Sequence, residues 1–251
     1  MALRSGRYHN IKHHKDAADQ KKAAVIAKMG VLITMAVQSG GGPNPADNPR
    51  LRLALSKARA AMMNNEAIER AIKKASGIGA EGKQLVEVTY EGYAPGGIAV
   101  VVEATTDNRN RTAPELKKMF EVHGGAIGAP GCVAWQFKPR AVFLVTAADD
   151  TPVMEALLAG GADALDLRPL DGGIEILAEP RDYDAILKAL QAANLPVVRS
   201  ELTRLSETSV APSDPTVLEQ VQDLLDDLDD HPDVQEVYHN AVLPFGADPD
   251  A

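Results

Sequence analysis

A single cysteine, Cys132, stands among 251 residues. It can form no internal disulfide and supports no cysteine-rich zinc site, so a reducing, cytoplasmic setting is expected. Aromatic residues are scarce at 4%, but 45% of the chain is hydrophobic and 24% charged, which is the composition of a folded domain rather than a disordered one. No uninterrupted apolar run approaches the roughly 18 residues that span a bilayer. The longest runs from Val31 to Val37, is broken by Thr34, and reads as the buried stripe of a helix. No membrane partner is therefore expected. Arg4, Arg7, Lys12 and Lys15 make a basic start with no apolar stretch behind it, and Asp16 and Asp19 come early for a transit peptide. A nucleophile–histidine–acid triad, a dinucleotide fingerprint and a Walker motif are all missing.

What is present is a division of charge. Residues 1–80 carry 14 Lys or Arg against 5 Asp or Glu, whereas residues 81–251 carry 12 against 30. The net charge of −9 thus conceals a basic part at +9 and an acidic part at −18. Such a split suits a chain whose basic part meets a polyanion while the rest stays solvated and repelled by it.

The pattern along the chain points to an α+β protein of three domains. Val25, Ile26, Met29, Leu32, Ile33, Ala36 and Val37 recur at helical spacing until Ser39 and Gly40, Gly41 and Gly42. A second helix opens at Asp47 or Asn48, with Pro49 in its first turn and Leu51, Leu55, Ala58 and Met62 as its stripe. A third covers 66–74, and glycines at 77–82 make a linker. Three such helices form a basic bundle over 1–80. From residue 85 the period changes. Strands are expected at 85–90 and 98–105 around the Pro95-Gly96-Gly97 turn, and Thr112-Ala-Pro-Glu115 reads as a capping box opening a helix to Phe120. Further strands are expected at 132–137, 141–147, 163–168, 173–178, 197–204 and 234–239, with helices at 151–159, 181–193 and 215–229. These give two small sheets covered by helices, with 141–205 inserted into a domain built from 81–140 and 206–251.

Three segments carry candidate chemistry. In the first helices, Arg7, Lys12, Lys15, Lys21, Lys22, Arg50, Arg52, Lys57, Arg59, Lys73 and Lys74 supply phosphate contacts, Tyr8 a stacking face and Asn10 a group for base edges or 2′-hydroxyls. His9 and His13 are four apart but have no evident third ligand, so no metal site is assigned. In Thr106-Asp-Asn-Arg-Asn-Arg-Thr112, Arg109 and Arg111 can reach phosphates beside a helix N-terminus, although Asp107 and Asn108 equally suit local capping. Asp223, Asp226, Asp227, Asp229 and Asp230 read as a solvated acidic face. No cofactor is expected. A nuclease acting on branched DNA would require Mg or Mn, with Asp107 and Glu103 as its first candidate carboxylates.

Several longer segments resemble the YebC/PmpR family: His9-Asn-Ile-Lys-His13, Asn48-Pro-Arg-Leu-Arg-Leu53, Ile68-Glu-Arg-Ala-Ile-Lys73, Tyr90-Glu-Gly-Tyr93, the loop from Thr106 to Thr112, His123-Gly-Gly125, Val133-Ala-Trp135 and Val234-Gln-Glu-Val-Tyr-His-Asn240. The resemblance implies a helical first domain followed by two α+β domains, the third inserted in the second. It also implies a partner that is DNA, in transcriptional regulation, or RNA and the ribosome, in translational activation. The family pattern has a Lys-Trp pair where Arg7-Tyr8 stands, a Lys at Ala24 and an Arg-Glu pair at Val31-Leu32. The first helix here is therefore less charged and more apolar than that pattern.

Overall fold

A computed structural model describes residues 5–77, 85–170 and 172–243, with side chains from residue 22 onward. Three helices come first: α1 (Ser5–Ser39), α2 (Pro49–Ala60) and α3 (Asn65–Ser76). Their common core gathers Ile33, Ala36 and Val37 of α1, Leu51, Leu55 and Ala58 of α2, and Ile68 of α3. Full burial of a side chain such as Leu51 or Ile33 contributes about 1.5–3 kcal/mol.

The α1–α2 corner is fixed by Asn48, which is fully buried. Its Oδ1 accepts from the Leu51 N–H at 2.9 Å, capping α2, while its Nδ2 donates to the carbonyls of Ala36 (2.7 Å) and Gly42 (2.8 Å). Gly40 permits this approach, because a Cβ there would lie 2.4 Å from Asn48 Oδ1. After α2 the chain turns through Met62 at φ 57°, leaving that side chain 77% exposed and placing Met63 in the core. The helical stripe expected to end in Met62 therefore ends at Ala58, and Met63 enters the core from beyond the helix. The turn breaks the helical period at that point.

The remaining elements are β1 (Val86–Ala94), β2 (Ile98–Thr106), α4 (Arg109–Val122), β3 (Ala126–Ile127), β4 (Phe137–Val145), α5 (Thr151–Gly160), β5 (Asp166–Leu170), β6 (Gly173–Ala178), α6 (Tyr183–Ala192), β7 (Val197–Ser206), α7 (Pro215–Asp230) and β8 (Val234–His239). They build two antiparallel sheets, of order β3-β1-β2-β8 and β5-β6-β4-β7. The first sheet forms one compact unit with α1–α4 and α7, and β4 through β7 form the other. The fold is thus α+β.

Three local readings change. Thr112 does not cap a helix: the cap of α4 is four residues earlier, where Asn108 Oδ1 accepts from the Asn110 N–H, and Thr112 is buried inside the first turn. Segment 132–137 is mostly a loop with a 3-10 turn at Ala134–Gln136, and the strand starts only at Phe137. The strand expected at 141–147 is the second half of that same strand. The stretch Lys22–Ser39 has a mean hydropathy of 1.3, long and apolar enough by composition to span a membrane. Here Ile33, Ala36 and Val37 on that stretch pack against α2 and α3, as a core helix does.

In the first sheet, Gly92 and Val100 lie on the face packed by Phe120 of α4, and a Cβ at Gly92 would sit 2.9 Å from that ring. The opposite face carries Glu87 on β1, Glu103 on β2 and Glu236 on β8, since Glu87 faces Thr105 and Glu103 faces Glu236 across the strands.

Replacing Asn48 by Ala removes a cap and a buried donor to two carbonyls, of which Ala36 keeps the Gly40 N–H. We expect a loss of about 2–4 kcal/mol in urea unfolding. The exposed cap Asn64, whose Oδ1 takes only the Ala67 N–H, should cost about 1 kcal/mol as Asn64→Ala. Equal losses at the two positions would contradict the role given to Asn48.

Candidate nucleic-acid interface

The helical cations separate into two sets. On α2 and α3, Arg59, Arg70, Lys73 and Lys74 are exposed, as is Lys22 on α1, and none has a carboxylate partner among the described side chains. Their exposure follows from helical period: on α3, Ile68 and Ile72 turn to the core, which leaves Arg70, Lys73 and Lys74 on the outer face. The sequence alone does not single out Arg70, because its neighbours Glu66 and Glu69 balance it locally. The signal that identifies it is its spacing of three and four from Lys73 and Lys74.

The second set is engaged within the molecule. Arg50 donates through Nη1 to Ser39 Oγ (2.8 Å) and through Nη2 to both oxygens of Glu87 (3.1 and 3.3 Å). Lys57 Nζ meets Glu236 Oε1 at 2.7 Å. Arg52 donates to the carbonyls of Pro45 (2.8 Å) and Ala46 (3.0 Å). Lys28 is buried and bonds the Asp229 carbonyl, with the Asp229 carboxylate at 3.5 Å. The Arg50–Glu87 side chains are 55% and 57% exposed, so this pair contributes only about 0–1 kcal/mol. Arg7, Tyr8, Asn10, Lys12, Lys15 and Lys21 lie on α1, but their side chains fall outside the described residues, as do those of His9 and His13; most of the 77–82 linker lies outside them as well.

The Thr106–Thr112 loop is an ionic knot rather than an open cradle. Arg111 Nη2 lies 2.7 Å from Asp233 Oδ2 and 3.2 Å from Asp107 Oδ1, with Glu115 at 3.9 Å from its Nε. Thr112 Oγ1 donates to the same Asp233 oxygen at 2.6 Å and lies 2.8 Å from Thr106 Oγ1. Partial burial pushes the Asp233 carboxyl up. Hydrogen bonds from Thr112, Arg111 and Thr106 outweigh that and hold it below its ordinary value of 3.8. The hydrogen bond to Asp233 and its charge in turn raise the Arg111 guanidinium above its ordinary range. His231 joins from below: its Nδ1 accepts the Asp233 N–H at 3.1 Å and its Nε2 faces Glu115 at 3.3 Å.

Arg109 stays exposed beside this knot; burial raises the Tyr90 hydroxyl above its ordinary value, the nearby Arg109 charge opposing and the Asp233 charge adding to the shift. The two candidate carboxylates differ in setting. Asp107 is tied to Arg111, while Glu103 receives the Tyr238 hydroxyl at 3.4 Å and sits opposite Glu236. Among the described residues no group of three or more His, Cys, Asp or Glu gathers as a metal would need. On α7, Asp223, Asp226 and Asp230 face solvent, and Asp227 meets His123 Nε2 at 2.7 Å.

Two family models match the chain. The TACO1/YebC N-terminal domain covers residues 6–78, and the TACO1/YebC second and third domain covers residues 85–241. A protein of Moorella thermoacetica named "Probable transcriptional regulatory protein" is 41% identical over 239 residues, covering 94% of this chain and 93% of its own. A protein of the same name from Desulfosudis oleivorans is 43% identical, with 94% and 95% covered. The crystal structure of a conserved hypothetical protein from Aquifex aeolicus superposes with a TM-score of 0.76 at 38% identity, covering 89% of this chain and 91% of that one.

The knot gives a pH dependence of definite sign. The folded Asp233 value lies below the unfolded one, so its contribution is complete above about 3.8 and is lost as pH falls through the depressed value. Unfolding measured between pH 7 and 3 should lose stability at the acid end, and Asp233→Asn should be less stable at pH 7 with a flatter acid limb. An unchanged acid limb would remove Asp233 from this role.

Proposed function

The chain belongs to the TACO1/YebC family, and from that premise we propose that it is a nucleic-acid-binding regulatory protein that binds DNA through its basic helices to regulate transcription. The names of its relatives support a regulatory role. The observation that carries the nucleic-acid reading is the exposed set Lys22, Arg59, Arg70, Lys73 and Lys74, five cations without carboxylate partners among the described side chains. Unpaired cations on one folded segment attract a polyanion by counterion release, a sequence-independent attraction that weakens with salt.

The acidic remainder of the chain, at −18 over residues 81–251, repels the same backbone and so limits contact to the helical segment. Phosphate contacts of this kind set position and affinity, not base choice. A partner in RNA or on the ribosome, with a role in translational activation, is the alternative that the same cations serve. The nuclease reading has less support, because Asp107 is held by Arg111.

The test is a binding panel of duplex DNA, four-way junction, single strands and ribosomal RNA across a salt series, with and without magnesium or manganese. Arg59→Ala/Lys73→Ala/Lys74→Ala should weaken binding to every duplex alike and reduce the log–log salt slope by up to about 2.7, near 0.9 for each phosphate no longer neutralised. Unchanged affinity and slope would overturn the assignment. Preference for RNA would favour the translational alternative, and metal-dependent cleavage of the junction would make the protein an enzyme.

A further inference from the structure

Lys28, Arg50 and Lys57 belong to the same basic helices, yet each faces an oxygen of the acidic part of the chain. Arg50 grips both oxygens of Glu87 on β1, and Lys57 grips Glu236 on β8. These two carboxylates flank Glu103 of β2 on one face of the first sheet. We propose that Arg50 and Lys57 form a latent second phosphate-binding face, held closed by Glu87 and Glu236, which stand where backbone phosphates would bind.

This deepens the nucleic-acid reading above and rests on it. Three observations support the exchange. Arg50 meets the Glu87 carboxylate through one nitrogen, Nη2, and a guanidinium nitrogen that holds a carboxylate suits a phosphate oxygen equally well. Both pairs are open to a competitor: the side chains are 55% and 57% exposed for Arg50–Glu87, and 33% and 44% for Lys57–Glu236. The apolar core of α1–α3 draws only on residues 26–75, so its packing survives the loss of either pair. Lys28 is different. It is buried and bonds a backbone carbonyl as well as the Asp229 carboxylate, which makes it a fixed anchor rather than part of the exchange.

The consequence is a binding surface with two tiers. The exposed cations take the first phosphates, and the latent pair joins only where a ligand brings enough negative charge to displace two carboxylates. Short or sparsely charged ligands would be discriminated against without any base being read.

The experiment measures anisotropy of a labelled DNA duplex over a salt series, using the full chain. Glu87→Gln/Glu236→Gln keeps shape and frees both cations. It should bind on the order of tenfold tighter, with a slope steeper by up to about 1.8 for two further phosphates neutralised. Each single variant should give about half of that gain in logarithmic terms. Glu219→Gln/Asp223→Asn removes the same charge from the exposed face of α7 and should change affinity by less than about twofold. Adding Arg50→Ala/Lys57→Ala to the Gln pair should abolish the gain. The proposal is overturned if the Gln pair and the α7 control behave alike, or if the gain persists without Arg50 and Lys57. The underlying reading fails separately, if the exposed cations Arg59, Lys73 and Lys74 prove dispensable in the wild-type chain. Binding by neither wild type nor Gln pair overturns both.

Discussion

The pairing of β8 with β2 is the constraint on which most of the first unit depends. Tyr238 and Glu103 lie 135 positions apart in the chain, yet their strands are antiparallel neighbours. Closing so long a loop costs little more entropy than closing a short one, because the cost grows only logarithmically with length. The return of β8 brings α7 back against α4, supplies Glu236 to Lys57, and sets Asp233 under Arg111 and Thr112. Without that register the loop after β2 would hold an arginine and two threonines with no common acceptor.

Charge is arranged in two ways at once. Along the sequence the signs are segregated, basic before residue 80 and acidic after it. In space, part of the basic segment is set against part of the acidic one, so that Arg50 and Lys57 are neutralised while Arg59, Arg70, Lys73 and Lys74 stay open. A count of lysines and arginines therefore overstates the surface available to a polyanion. The half-exposed pairs hold the helices to the sheet only weakly, since each exchanges ion–water contacts for ion–ion contacts of similar worth.

The Thr106–Thr112 loop illustrates how one composition supports opposite readings. Two arginines and a helix start suggest an anion site. Once Asp233, Asp107 and Glu115 converge on Arg111, the same atoms form an internal network whose carboxyl is held below its usual range. Only Arg109 keeps its charge turned outward.

Periodicity and local chemistry determined much of this protein unaided. The helical stripe of α1, that of α2 as far as Ala58, a cap at Asp47 or Asn48 with Pro49 behind it, the glycine turn between β1 and β2, and the bounds of β8 all follow from the sequence, because each depends on residues within a few positions of one another. So does the division into basic and acidic parts. Where the local signal was ambiguous it misled: Thr112 offered a capping box, but Asn108 bonded the free N–H groups first, and Met62 continued a stripe that the chain had already left. Tertiary structure alone decided which cations remain free. Whether an arginine faces solvent or a carboxylate is set by strands that arrive from far along the chain, and Coulomb attraction depends on separation in space, which the spacing of residues in a sequence does not fix.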